Sequence, residues 1–239
     1  MVNTDPKAVD SRRILFGGDV MLGRTVKETI SRNGPGYPLG PVAQMMRDAD
    51  LSIVNLECAI TSCTRQWASA PKTFYFGALP EAVECLLDAG MNLASLANNH
   101  SLDFGVDGLR DTLDLVRRHG IQTAGAGENS AEAAQPGIIR CGELSLGMAA
   151  FCDHQADFAP THSHPGIAYI GLEGEPAALL KLQAAVDWPL LSLHWRSNLV
   201  VRPSVAFTTG ICNEYATGNR IKCEAPALQL FVCRLSFDI

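Results

Sequence analysis

Residues 91–105 read MNLASLANNHSLDFG, in which an apolar run ends at three consecutive polar side chains. Residues 91–96 are typical of a short buried β-strand, and a helix is predicted to follow soon afterwards. Asn98, Asn99 and His100 therefore fall just beyond the carboxyl end of a strand, where α/β sheets gather their ligand-binding groups. Polar groups at such a position are costly to bury unless they form hydrogen bonds or bind a ligand. The stretch predicts an α/β sheet with a functional site at its edge.

Three further apolar runs end at polar residues that could bind a metal or move a proton. They are residues 14–16 before Asp19, residues 51–54 before Asn55 and Glu57, and residues 190–193 before His194. The carboxyl ends of parallel strands meet at one edge of a sheet, so these side chains are expected to lie close together. One such ending is expected by chance, but four indicate a shared centre.

The two carboxylates of this set suit a metal ion. Asp19 directly follows a strand, and hard cations prefer such oxygen ligands; a turn aspartate or a helix cap is the alternative. Asn55 and Glu57 lie two positions apart on an extended segment, so their side chains share a face. Glu57 can therefore bind one ion or bridge two.

The amide and imidazole groups suit metal binding and proton transfer. An amide oxygen can bind a metal, and the neighbouring His100 can protonate a leaving group. For Asn98, Asn99 and His100 the alternative is a capping cluster for the following helix. For His194 the alternative is a buried core histidine, but its position at a fourth strand end favours a ligand.

Two other groups of residues carry weaker signals. Arg24 and Lys72 are candidate contacts for an anion, and a solvated surface position is the alternative for each. A polar loop is predicted over residues 153–166, and four of its side chains could form an independent metal site: Asp153, His154, His162 and His164. Solvated loop histidines are the alternative.

The composition excludes several classes of protein. A chain of 239 residues with 47% apolar and 18% charged residues is expected to fold as one large domain. A net charge of −6 argues against a nucleic-acid-binding surface, although a bound cation would still allow a small anionic substrate. No membrane-spanning run or signal-peptide core is evident, which predicts a cytoplasmic protein. Eight scattered cysteines favour buried, reduced thiols.

Strands alternating with helices predict a largely parallel or mixed sheet covered on both faces. Helices are expected at residues 42–49, 80–90, 106–119 and 176–186. A domain is predicted over residues 12–204, whereas residues 205–239 form an atypical tail without sustained periodicity. A natural domain end, a shifted reading frame and a truncated gene would each produce such a tail, and all three stay open.

The motifs resemble those of the CapA-like family of capsule and poly-gamma-glutamate synthesis proteins. The resemblance covers residues 12–204 and depends on the following segments: residues 18–24 (GDVMLGR), residues 55–57 (NLE), residues 95–105 (SLANNHSLDFG), residues 120–127 (GIQTAGAG) and residues 192–195 (SLHW). The family has a calcineurin-like metallophosphoesterase fold, so the resemblance implies a β-sandwich core flanked by helices, here C-terminally incomplete.

The resemblance also implies roles for individual residues. The implied metal ligands are Asp19, Glu57, Asn99 and His194, with a divalent Mn, Fe, Zn or Mg ion as the cofactor. His100 is implied to be the acid or the phosphate-contacting histidine. Substrate contacts are predicted for Arg24, Asn55 and Asn98, with a small anionic or polyglutamate-type substrate. Family members can be membrane-anchored.

Two departures from the family pattern bear on activity. Met21 stands where metallophosphoesterases in general have the histidine of an Asp-x-His motif, and no histidine follows His194, although the family has a later Gly-His-x-x-His segment. The resemblance therefore predicts a metal-dependent hydrolase of phosphoester-type bonds with an impaired site. The alternative is a non-catalytic binding or assembly component of polyglutamate or capsule synthesis, because a fold alone does not determine activity.

Overall fold

The structure is a computed structural model and describes residues 12–69, 72–170, 182–194 and 229–231. Its strands are β1 (Ile14–Val20), β2 (Leu51–Leu56), β3 (Ala59–Ile60), β4 (Gly77–Ala78), β5 (Leu93–Ser95), β6 (Gln122–Ala124), β7 (Ala126–Gly127), β8 (Gly137–Cys141), β9 (Leu144–Cys152), β10 (Gly166–Ile167), β11 (Trp188–His194) and β12 (Gln229–Phe231). Its helices are α1 (Arg24–Asn33), α2 (Pro41–Arg47), α3 (Val83–Asp88), α4 (Gly105–Arg118) and α5 (Ser130–Ala133).

Two four-stranded sheets form the β core. The first sheet has the order β1-β2-β5-β6, and all of its neighbouring strands are parallel. The second sheet has the order β12-β11-β9-β8, in which only β8 runs antiparallel to its neighbour. Because most strands are parallel, their carboxyl ends share an edge in each sheet. The expected mixed α/β architecture is confirmed.

The two sheets pack face to face. Side chains alternate across β9: Met148 and Ala150 join the core that contains Leu93 of the first sheet, whereas Ala149 and Phe151 belong to a second cluster on the other face. A Cβ atom on Gly137 of β8 would lie 2.5 Å from a methyl carbon of Leu93, so the sheets approach closely there. The predicted apolar stripe of α4 is buried as well. The fold is a two-layer β core flanked by helices.

Two helices, α1 and the four-residue α5, were not predicted from the sequence. Residues 24–33 form α1, which lies outside the four helical ranges expected from the sequence. Its apolar face is narrow, because only Ile30 is buried and Val26 packs partly against the core. Two apolar residues four positions apart are too few to predict a helix from periodicity. Across the described ranges, no helix combines the length and the apolar character that a membrane crossing requires.

The C-terminal predictions are only partly within the described residues. Residues 182–185 of the predicted helix over 176–186 are helical, and the predicted boundary between 204 and 205 lies outside the described ranges. Within the predicted tail, β12 pairs in parallel with Leu190–Ser192 of β11. The sequence did not predict this strand, because three residues are too few for an alternating pattern.

Candidate metal centre

A bulge in β1 delivers Asp19 to the edge of the first sheet. The register between β1 and β2 shifts between Phe16 and Asp19, and Gly18 within this bulge has a φ of 67°. A side chain would be strained at that backbone angle, so the position requires glycine. Beyond the bulge, Asp19 lies opposite Asn55 of β2. The bulge at Gly17 and Gly18 therefore sets the direction of the Asp19 carboxylate.

Asn55 connects the two carboxylates. Glu57 comes directly after β2, and its backbone N–H donates to the carbonyl of Val20 at the end of β1. The side-chain amide of Asn55 lies 2.8 Å from Asp19 Oδ1 and 3.2 Å from Glu57 Oε2, and donates to both. The NH₂ group of Asn55 thus holds the two carboxylates side by side, and its substrate contact stays a prediction.

The second sheet contributes His194 to the same place. His194 is the last residue of β11, and its Nε2 atom lies 2.7 Å from Oδ1 of Asn99, which follows β5 of the first sheet. Its Nδ1 atom lies 3.5 Å from the side-chain nitrogen of Asn55. The carboxyl ends of both sheets thus meet at one edge, and the four predicted ligands lie together there.

Three of these residues have donor atoms close enough to hold one ion. One donor atom from each of Asp19, Glu57 and His194 lies within 4.8 Å of the others, and the same three residues form the one such group of His, Cys, Asp or Glu side chains in the described ranges. Two carboxylates, an imidazole and the nearby amide oxygen of Asn99 make a mixed oxygen and nitrogen donor set. Such a set suits divalent ions from Mg²⁺ to Zn²⁺.

The electrostatics of the cluster also favour a cation. Burial, and then the adjacent charge of Asp19, raise the pKa of Glu57 to about 9. Burial lowers the pKa of His194 to about 4, against an opposing effect of Asp19. The imidazole is therefore neutral near pH 7, which is the form that binds metals, and a cation would favour the charged form of Glu57. The residues present fit a divalent cation.

His100 lies beside this cluster in a defined orientation. Its Nδ1 atom is 2.6 Å from Asp103 Oδ2, its ring stacks on Phe76 at 3.8 Å, and its Nε2 atom is 3.9 Å from Glu57 Oε1. Asp103 is fully buried and also accepts from the backbone N–H of Phe76 at 2.7 Å. Burial lowers the pKa of His100, while Asp103 opposes that shift. Nε2 is the ring nitrogen that faces the carboxylates.

Lys72 is part of the site, which corrects its expected surface position. Its side chain is only 10% exposed, and Nζ lies 2.5 Å from Asp103 Oδ1. Nζ also donates to the backbone carbonyl of Asn99. The ion pair with Asp103 compensates the buried charge of the Lys72 ammonium. No local sequence pattern could have shown this, because Lys72 is in an irregular segment 31 residues before its partner.

Asn98 holds the loop after β5 to the neighbouring strand. Its NH₂ group donates to Asn55 Oδ1 at 3.0 Å and to the carbonyl of Leu56 at 2.9 Å. Its Oδ1 atom accepts from the N–H of His100 and the hydroxyl of Ser101. The side chain of Asn98 is fully buried, and its hydrogen bonds are made within the protein. The substrate contact of Asn98 stays a prediction.

The capping alternative for this segment is also corrected. Helix α4 begins at Gly105, and its N-cap residue Phe104 makes no side-chain capping bond within the described residues. The polar atoms of Asn98, His100 and Asp103 instead bond to the loop and to the neighbouring strand. The segment therefore builds the site and does not cap the helix.

Arg24 and Met21 flank the cluster in sequence. Arg24 is exposed at the start of α1, with its guanidinium 4.5 Å from the ring centre of Phe74, so it is open to solvent on one side. Met21 is half-buried, and its sulfur accepts from the N–H of Gly23 at 3.1 Å. The substrate contact of Arg24 stays a prediction.

The loop over residues 153–166 does not form the independent metal site that was considered. His162 and His164 are exposed, and His164 Nδ1 lies 3.0 Å from the hydroxyl of Thr161. His154, by contrast, lies against His194, with 5.6 Å between the ring centres. Sequence alone does not distinguish these three histidines, since the difference arises from the packing of β9 against β11.

The protein is an α/β protein with a candidate metal centre. Parallel strands from its two sheets bring carboxylate, amide and imidazole groups to one edge. The chain belongs to the bacterial capsule synthesis protein family PGA_cap, whose model matches residues 13–208. The resemblance to CapA-like proteins is thereby confirmed.

Two curated relatives and one solved structure illustrate the similarity. The capsule biosynthesis protein CapA of Bacillus anthracis is 27% identical over 197 residues, which cover 78% of this chain and 47% of that protein. The PGA biosynthesis protein CapA of Bacillus subtilis strain 168 is 25% identical over 182 residues, covering 75% and 48%. The chain spans about half the length of these relatives. A phosphatase structure from Mycoplasma pneumoniae has 16% identity and a TM-score of 0.43, covering 80% of this chain and 58% of that one.

Proposed function

We propose that the protein is a metal-dependent hydrolase of phosphoester-type bonds. The observation that carries this proposal is the group of Asp19, Glu57 and His194 donor atoms within 4.8 Å, with the oriented imidazole of His100 beside it. A metal group and an adjacent acid–base histidine are the two parts that metal-assisted hydrolysis requires.

Four side chains would hold a divalent Mn, Fe, Zn or Mg ion. They are Asp19, Glu57, Asn99 and His194, in the arrangement described above. When bound, such a cation polarises a phosphoryl oxygen and lowers the pKa of an attacking water. Asn55 keeps the two carboxylates in place, and Lys72 holds the backbone of Asn99 in position.

His100 is the proposed acid that protonates the leaving oxygen. Asp103 accepts a hydrogen bond from Nδ1 of His100. Nε2, on the side of Glu57, is therefore the nitrogen that exchanges a proton with the substrate. Burial keeps the pKa of His100 below its ordinary value, so a proton on Nε2 is released readily. The stacked Phe76 ring limits rotation of the imidazole.

A small anionic or polyglutamate-type molecule is the proposed substrate or partner. The names of the two Bacillus relatives, which refer to capsule and PGA biosynthesis, favour a second candidate function as well. In that function the centre would bind an anionic polymer without hydrolysing it. Arg24 remains a proposed anion contact in both cases. A cytoplasmic location also stays a prediction.

Hydrolysis of bis(p-nitrophenyl) phosphate by the protein loaded with Mn²⁺ or Zn²⁺ tests the proposal. His100→Ala should lower the rate by about 100-fold or more, which is the usual contribution of an acid–base group, with unchanged metal content. His119→Ala is the matched control, because His119 is exposed at the end of α4. Metal-loaded protein that binds poly-γ-glutamate but cleaves no phosphoester would support the second candidate. Loss of metal from His100→Ala would contradict the acid role.

A further inference from the structure

His154 is a half-buried histidine that the proposed mechanism does not use. Cys152, at the end of β9, lies in register with His194 of β11, and the N–H of Asp153 donates to the carbonyl of His194 at 3.2 Å. This pairing brings His154 to the sheet edge where the metal centre lies. The imidazole rings of His154 and His194 are 5.6 Å apart, with 63° between their planes.

The ring nitrogens of His154 lack hydrogen bonds. Both are shielded from solvent, and neither has a hydrogen-bond partner among the residues that the structure describes. Nδ1 lies 2.5 Å from Asp153 Oδ1, which is an ion-pair distance. A buried polar atom without a partner costs about 1–3 kcal/mol. A group left in this state is expected to gain a partner when a ligand binds.

The position of Asp153 indicates what that ligand is. Histidines that bind metals usually direct their second ring nitrogen at a carboxylate, which fixes the tautomer and the ring orientation. In His154 the carboxylate of Asp153 faces Nδ1, which leaves Nε2 as the nitrogen available to a cation. The neighbouring His194 is itself a proposed metal ligand, so a cation at this side would have two imidazoles within reach.

We propose that His154, oriented by Asp153, is a further metal donor that supplies a second divalent cation position on the His194 side of the centre. The inference rests on the proposed metal centre. His154 is outside the group of atoms that lie within 4.8 Å of one another, so its cation position is beside that group. No exposed histidine of the same loop is involved.

Titration of the metal-free protein with Co²⁺, followed by visible absorption and calorimetry, tests this assignment without measuring activity. The wild type should bind two equivalents, and His154→Ala should keep one. Asp153→Asn should keep both positions but bind the second about 10–100-fold more weakly, as expected when an orienting carboxylate is lost. His162→Ala is the matched control and should bind two equivalents, because His162 is exposed on the same loop.

The outcomes separate this inference from the proposed function. Wild-type protein that binds no Co²⁺ would overturn the proposed metal centre and the inference with it. Wild-type protein that binds one equivalent, or His154→Ala protein that still binds two, would overturn the inference alone. Circular dichroism of each variant checks that the fold is intact.

Discussion

The loop after β5 and the loop after β9 reach the same edge of the protein and are built differently. Each carries a histidine beside a carboxylate: His100 with Asp103, and His154 with Asp153. In the first loop the carboxylate also binds Lys72 and a backbone N–H, so the polar groups are paired. In the second loop neither ring nitrogen of His154 has a hydrogen-bond partner within the described residues.

The difference shows which part of the site is complete without a ligand. A buried group whose hydrogen bonds are satisfied is held in one orientation by the protein itself, as a proton donor must be. A buried group without a partner carries a cost that a bound cation would remove. The loop after β5 is therefore preorganised, whereas a bound cation would stabilise the loop after β9.

The largest expected effect follows from breaking the paired loop. Asp103→Asn should lower the free energy of unfolding by about 3–5 kcal/mol, because it leaves the buried ammonium of Lys72 without its ion-pair partner. Urea denaturation measures the change. Asp107→Asn is the control, since the ion pair of Asp107 with Arg65 is exposed and should contribute less than about 1 kcal/mol. Equal losses in the two variants would mean that the Lys72 pair does not stabilise the loop.

A direct comparison of the two histidines should give a smaller effect. In metal-free protein, His100→Ala should cost about 1.5–3 kcal/mol of stability, because a hydrogen bond to a buried carboxylate is lost. His154→Ala should cost less than about 1 kcal/mol, since it also removes two unsatisfied nitrogens. Thermal or urea unfolding in the presence of a chelator measures both. A larger loss for His154→Ala would contradict the comparison.

The carboxylate pair should respond to pH in the absence of metal. The pKa of Glu57 is raised to about 9, so the folded state binds a proton that the unfolded state has released, and stability falls as pH rises from about 4.5 to about 9. Above pH 7 His194 is neutral in both states and does not contribute. Glu57→Gln should remove the slope between pH 7 and pH 9.

The same substitution should stabilise the chelated protein at pH 8, because folding of the wild type takes up a proton at that pH and folding of the variant does not. It should also weaken metal binding, because a ligand is lost. Unfolding curves at pH 7, 8 and 9 measure the slope for wild type and variant. A wild-type protein whose stability is flat over this range would show that the pKa of Glu57 is not raised in the folded protein.

Much of the site was predictable because strand ends are visible in sequence. Asp19, Glu57, Asn99 and His194 each follow an apolar run, and parallel strands bring such positions together. Lys72 was not predictable, because its partner is 31 residues away and its own segment has no period. The strand register that places His154 beside the centre, while His162 is exposed, is a tertiary property that no local pattern carries.

Some elements of the fold could not be predicted from the sequence for similar reasons. Helix α1 buries one residue, Ile30, so its apolar periodicity was weak. Strand β12 pairs through its backbone with β11 over three residues, which is too short for an alternating pattern. The longer helix α4, by contrast, presents a full apolar stripe and was predicted to within one residue at each end.

Metal content is the measurement that tests the central claim most directly. Wild-type protein should retain bound metal after dialysis against Mn²⁺ or Zn²⁺, and a chelator should remove it. Inductively coupled plasma mass spectrometry measures the metal content. Asp19→Asn should lose that metal, because Asp19 is one of three donors that lie within 4.8 Å. Asp50→Asn is the control, since Asp50 is on the surface at the start of β2 and accepts from the N–H of Arg13. Wild-type protein without metal, or Asp19→Asn protein with an undiminished content, would contradict the account.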